Sequence, residues 1–222
     1  MTTAEQNTAI GKNSMTTATT GSYNTAVGSG SLDTLTTGAG NTAMGQTAMD
    51  ATTTGSQNVG IGAGALAANT TGGNNTIIGY TAGDAITTGA NNVAMGHNAL
   101  GSLTTTTGNI AIGNNTLDAG VDGVQNCIAI GHDALTALTA SGSGTGPSIG
   151  IGFNAGAGMT TGTNNIAIGA WTMDAVVTGT TNVAIGNSAA TVLTSGSDNV
   201  ILGHNSGAAI TTGGDNVAVG AY

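Results

Sequence analysis

The sequence is poor in most of what an ordinary globular domain uses. It has one cation, Lys12, against ten acids, for a formal charge of −9. Binding a phosphate backbone takes several Lys or Arg to displace counterions, so nucleic acid is excluded as a partner and anionic membrane surfaces are disfavoured. Charged residues make up 5% of the chain, where ordinary domains carry about 25%. The only aromatics are Tyr23, Tyr80, Phe153, Trp171 and Tyr222, too few for a thick core. Cys127 is the single cysteine; it cannot close an internal disulfide and reads as a small buried apolar side chain. No run of about 18 apolar residues exists to span a bilayer as a helix. Met1 to Gln6 has neither the basic nor the apolar region of a secretory signal. Disorder goes with low hydrophobicity and high charge, and a 39% apolar content does not fit it.

What the chain does have is glycine, 40 of its 222 residues, and a strict period. The motif Asn182-Val183-Ala184-Ile185-Gly186 returns as Asn165-Ile166-Ala167-Ile168-Gly169 and, in looser form, thirteen times in all. Its closing glycine falls at Gly11, Gly28, Gly45, Gly62, Gly79, Gly96, Gly113, Gly131, Gly152, Gly169, Gly186, Gly203 and Gly220. Ten of the twelve steps are 17 residues and the others are 18 and 21. A fixed period across a whole chain indicates repeat architecture, with a thin core extended by stacking.

Numbering each unit from its Asn gives every position a character. Position 1 is Asn7, Asn24, Asn41, Asn58, Asn75, Asn92, Asn109, Asn165, Asn182, Asn199 and Asn216, with Cys127 and Ser148 in the two other units. Position 2 is Val, Ile or Thr, and position 3 is small in most units, with Ile77 and Ile201 as exceptions. Position 4 is aliphatic or Met and position 5 is always Gly. Ile10, Val27, Ile61, Ile78, Ile112, Ile130, Ile151, Ile168, Ile185, Leu202 and Val219, all at position 4, are the expected core. Thr-Thr-Gly recurs at positions 13 to 15, as at Thr36-Thr37-Gly38, and marks a turn.

Short β-branched runs between Asn and Gly predict a strand of about five residues. A second, weaker strand is expected over positions 8 to 12. Each unit is then one coil of a β-solenoid, because a Gly and a Thr-Thr-Gly in each period would break a helix. Like residues should stack at the ~4.8 Å strand spacing, with the Asn column forming an amide ladder and the rod reaching roughly 55–60 Å. Side chains alternate along a strand, and here both faces are apolar. One face must therefore lie outside the coil, where a bare apolar column exceeds what soluble monomers tolerate. The simplest cover is another copy of the chain about an axis along the rod, with small position-3 residues allowing close approach at that contact.

The period is disturbed over about 103–152: one extra residue enters near Gly120-Val121-Asp122-Gly123, and a loop is expected at 140–147. The first full motif begins at Asn7 and the last coil stops at Ala221-Tyr222. Neither end carries the cap a solenoid normally needs, which suggests a segment of something longer or head-to-tail neighbours. Residues 1–222 read as a single repeat domain.

Asn-x-Ala-Ile-Gly followed by a small residue three places on resembles the head repeat of trimeric autotransporter adhesins, the YadA-like head. The Thr-Thr-Gly-containing version looks closer still to repeats in phage tail fibres and bacterial surface fibres. This resemblance implies an all-β, left-handed parallel β-roll in which three chains share an apolar axis. It also implies a homotrimer on a virion or cell surface, with a host receptor as a possible partner. The adhesins' coiled-coil stalk and membrane anchor have no counterpart here.

Candidate sites are few. His97, His132 and His204 share position 6, two or more coils apart, roughly 10 Å or more. Metal ligands must converge at about 2 Å, so solvated turn residues, or a ring of three equivalents about a trimer axis, are the readings open to them. Asp33, Asp50, Asp84, Asp118 and Asp174 recur at position 10 and read as a solvated acidic stripe rather than a calcium site. No nucleophile–base pair points to catalysis, and no cofactor or metal is expected. The sequence therefore favours a structural or adhesive fibre. The alternative is an ice-binding solenoid presenting a threonine array.

Overall fold

A computed structural model describes residues 4–118, 123–139 and 146–221. The extra residue near 120–123 and the loop at 140–147 fall largely outside these residues. The chain divides into two compact units, Met1–Gly108 and Asn109–Tyr222. The first holds β1 (Thr8–Ile10), β2 (Thr25–Val27), β3 (Thr42–Met44), β4 (Val59–Ile61), β5 (Thr76–Ile78) and β6 (Val93–Met95). The second holds β7 (Ile110–Ile112), β8 (Ile128–Ile130), β9 (Ile149–Ile151), β10 (Ile166–Ile168), β11 (Val183–Ile185), β12 (Val200–Leu202) and β13 (Val217–Val219). Within each unit consecutive strands pair in parallel and in register, Thr25 against Thr42 and Ile168 against Ile185. The fold is an all-β solenoid built on a coil of about 17 residues.

The strands are three residues long, shorter than the sequence suggests, and no second strand forms among the described residues. Positions 7 and 9 explain this. Leu32, Met49, Leu66 and Leu100 take φ of 49° to 58° at position 9, and Thr47 and Asn98 take 52° and 56° at position 7. Two left-handed residues so close together curl the chain into successive turns and prevent extension. Coil-to-coil hydrogen bonding continues through the turns, with Leu32 N–H donating to the Ala48 carbonyl at 3.1 Å and Met49 N–H to Ala65 at 3.0 Å.

The interior is lined by position 3. Ala26, Ala43, Ala94, Ala167 and Ala184 are fully buried, against Leu or Met from positions 9 and 12. The placement of small position-3 residues at a contact between chains is therefore corrected: they face inward. The expected core also changes. Ile10, Val27, Ile61, Ile78, Ile112, Ile130, Ile151, Ile168, Ile185, Leu202 and Val219 lie on the outer face, half-buried or exposed. Strand alternation sends positions 2 and 4 opposite to position 3. The coil is so narrow that only the smaller set fits within. Gly60 shows how narrow, since a Cβ there would stand 2.7 Å from Met49 Cγ.

Volume is traded between positions 3 and 9 in several coils. Where position 3 is Ile77 or Ile201, position 9 is Gly83 or Gly207; a Cβ on Gly207 would press on Ile201, and one on Gly83 would press on Ile86 and touch Ile77 at 3.4 Å. Most other coils pair a small residue with Leu or Met, as Ala26 with Leu32 or Ala94 with Leu100. Gly150 with Gly156 and Ala184 with Ala190 depart from this, and Leu135 and Met159 reach into the space at the first of them. Cores tolerate swaps that keep total volume and penalise those that do not. Ile77→Ala alone is expected to lower stability by about 2–5 kcal/mol, and Gly83→Leu alone to destabilise by overpacking. Combined, they should recover most of the loss in thermal melting; additive losses would show that the two sites do not share one space.

Candidate functional site

Three surfaces of the coil carry its chemistry: the Asn column, the outer aliphatic face, and the turn after the invariant glycine. The Asn column is buried in both units, with Asn41, Asn58, Asn75 and Asn182 fully enclosed. Asn58 Oδ1 accepts from Asn75 N–H and Asn75 Nδ2, both at 3.0 Å, while Asn58 Nδ2 donates to Asn41 Oδ1 at 3.2 Å and to the Gly72 carbonyl at 2.8 Å. The same pattern joins Asn165, Asn182, Asn199 and Asn216. Both amide protons and both carbonyl lone pairs are used. A carboxylate lacks the donors, and a hydroxyl makes only part of the pattern. Cys127 stands in the column with its N–H on Asn109 Oδ1 at 2.8 Å, and burial pushes its thiol above the ordinary value. At Ser148, Oγ accepts from Asn165 N–H at 3.3 Å.

Position 5 needs glycine for two reasons. All thirteen take φ between 127° and 145°, a region open to essentially no other residue. A Cβ on Gly28 would also collide with the carbonyl oxygen of Gly45 on the next coil. The strand therefore ends at a point of backbone contact, and the residue after it turns outward.

The outer face carries the position-2 and position-4 side chains of every strand. Met44, Met95, Ile185 and Val200 keep between 37% and 42% of their surface exposed. The neighbouring coils cover the flanks of these side chains and leave their outer ends bare, so a continuous aliphatic stripe runs over each unit.

At the following turn all three histidines are exposed. His97 stacks on Tyr80 with ring centroids 5.6 Å apart, and His132 stacks on Phe153 at 5.5 Å. Phe153 in turn meets Trp171 edge to face at 5.3 Å. Sequence reasoning grouped the histidines but missed this cluster. The signal was present, because Tyr80, His97, His132 and Phe153 share position 6 and Trp171 follows at position 7 of its coil. Among the described residues no three His, Cys, Asp or Glu gather as they would to hold a metal ion. No helix among them is long and apolar enough to cross a membrane.

The Asp column is half-buried. Burial pushes the Asp50 carboxyl above its ordinary value, and the charge of Asp33 on the adjacent coil adds to the shift against a backbone hydrogen bond from Ala51. Burial raises Asp174 likewise. Compared with protein-family models and with curated proteins, the chain matches none.

Asn58→Ala removes the acceptor of Asn75 N–H and Asn75 Nδ2 and leaves the Gly72 carbonyl with Asn69 Nδ2 alone, and an expected loss of about 2–4 kcal/mol follows from orphaned buried donors. Ser148→Asn should instead raise the melting temperature, because the new amide reaches the Gly162 carbonyl as its counterparts reach theirs. The acid column sets the pH response. A carboxyl whose folded pKa is raised binds its proton more tightly in the folded state, so stability falls as pH rises from the ordinary value of 3.8 through the folded one. Melting temperature should climb as pH is lowered from about 7 toward that range, and Asp50→Asn should flatten the climb. A steady fall over that interval would contradict the shift.

Proposed function

We propose that the chain is a segment of a structural or adhesive fibre in which three copies bury their outer aliphatic stripes against one another along a shared axis. The supporting observation is the orientation of the strands: alanine fills the inside, so Val, Ile, Leu and Met point outward on one face of coil after coil. A stripe of that extent calls for a partner surface of the same period, and another copy of the chain supplies one. The resemblance of Asn-x-Ala-Ile-Gly to the YadA-like head and to tail-fibre repeats points the same way and suggests a virion or cell surface. Stacked coils with few loops suit a stiff spacer that holds a receptor-binding part away from its anchor. Head-to-tail neighbours would extend such a fibre.

The ice-binding alternative has less support. Thr36, Thr53, Thr70 and Thr87 donate their hydroxyls to carbonyls of the next coil at 3.0 to 3.2 Å. That leaves the single exposed row Thr37, Thr54, Thr71 and Thr88. Thermal hysteresis would be the finding that favours it.

The mass in solution tests the fibre reading. Light scattering should give three times the 21.0 kDa of one chain. Ile168→Glu combined with Ile185→Glu should reduce the species to one chain with the β signal in circular dichroism retained. A parent protein that is stable and soluble as a monomer would end the proposal.

A further inference from the structure

None of the described aromatic residues lies in the core, although the chain has only five aromatics in all. Phe153 and Trp171 each keep 44% of their surface exposed, and their rings meet at 75° to form an open corner. A polar pair flanks it on either side. On the preceding coil His132 stacks on Phe153, and its Nδ1 lies 2.8 Å from Asp133 Oδ2. On the following coil Ser188 Oγ and Asn187 Oδ1 are hydrogen-bonded at 3.1 Å, and Ser188 N–H donates to the Ala170 carbonyl beside Trp171.

The backbone adds an independent indication. Trp171 sits at position 7 with φ of 54°, where Asn98, Asn115, Asn154 and Asn205 occupy the same turn in other coils. Asparagine accepts the left-handed region readily and a bulky ring does not. The turn itself therefore gives no reason for a tryptophan.

We propose that His132, Phe153, Trp171 and Asn187 form a binding site for an uncharged saccharide. Two aromatic faces set at an angle take the apolar C–H faces of a sugar ring, and the imidazole and amide on either side take its hydroxyls. Binding sites for small polar molecules combine aromatic lining with a few placed polar groups in this way. Charge narrows the class. With Lys12 as the only cation and a net charge of −9, the chain offers nothing to neutralise sialic acid, a phosphate or a nucleic acid. The residues flanking the rings are short and polar, which suits a sugar better than a large apolar protein surface. This inference goes beyond the fibre reading and does not depend on it, because all four residues belong to one unit of one chain.

The test uses the whole chain on a glycan array of neutral and sialylated oligosaccharides, followed by titration of the strongest binders. Emission from Trp171, the sole tryptophan, reports occupancy directly. Neutral oligosaccharides should shift it saturably. Trp171→Asn, read on the array because it removes the only tryptophan, and Phe153→Ser should each weaken binding by about tenfold or more, while Tyr80→Ser, in the other unit, should leave it unchanged. Trp171→Asn should melt no lower than the parent protein, which separates a site residue from one that supports the fold. The proposal is overturned if no neutral saccharide changes the emission at millimolar concentration, if only sialylated ones do, or if affinity survives Trp171→Asn. A fall in melting temperature with that substitution would also overturn it, by giving the ring a structural role. The oligomer's mass is measured separately, so failure here and failure of the fibre proposal are told apart.

Discussion

The hydrogen bonding of one asparagine amide to the next coil governs the rest of the architecture. Where asparagines follow one another, as from Asn41 to Asn75, the Oδ1 takes two donors from the Asn above it and the Nδ2 reaches both the Asn below and a turn carbonyl of its own coil. Such a group, buried with all four capacities filled, is matched in full only by another asparagine in the same place, and Cys127 and Ser148 match it in part. Register is thereby pinned at one residue per coil, and every other position is stacked on its own kind. The glycine at position 5 completes the constraint from the opposite end of the strand. Its backbone conformation and the carbonyl packed against it leave no room for a side chain.

A coil held this tightly has a small interior, and much follows from that size. Alanine at position 3 with leucine at position 9 fills it, as does isoleucine with glycine, and the two arrangements exchange along the chain at Ile77 with Gly83 and Ile201 with Gly207. Larger side chains have nowhere to go but outward. The aliphatic residues at positions 2 and 4 therefore become a surface, and the described aromatics are confined to turns. In a typical domain both would be core. Here they are what the molecule presents to its surroundings, and both proposals above rest on that inversion.

Electrostatics plays a smaller part. Half-buried carboxyls at Asp50 and Asp174 sit above their ordinary values, a mild conflict between stacking and charge. Copies that each carry −9 repel one another, so any association between them must come from apolar burial and should strengthen with salt as the repulsion is screened.

Much of this was legible before any coordinates. The recurrence of Asn, the invariant Gly and the fixed spacing determine a parallel solenoid with an asparagine ladder, because few other structures stack a sequence upon itself at constant period. That both strand faces are apolar was equally plain from Val183-Ala184-Ile185. Which face turns inward was not, since alternation is the same from either side; only the closed coil, too narrow for isoleucine at that point beside a Leu or Met, decided that Ala184 is inside and Ile185 out. The left-handed turns at Leu32 and Met49 were hidden for a similar reason, because leucine and methionine have no preference for that conformation and adopt it when burial in the coil rewards it. The corner between Phe153 and Trp171 likewise depends on how two turns 18 residues apart in sequence come to lie side by side, and only the stacked structure brings them together.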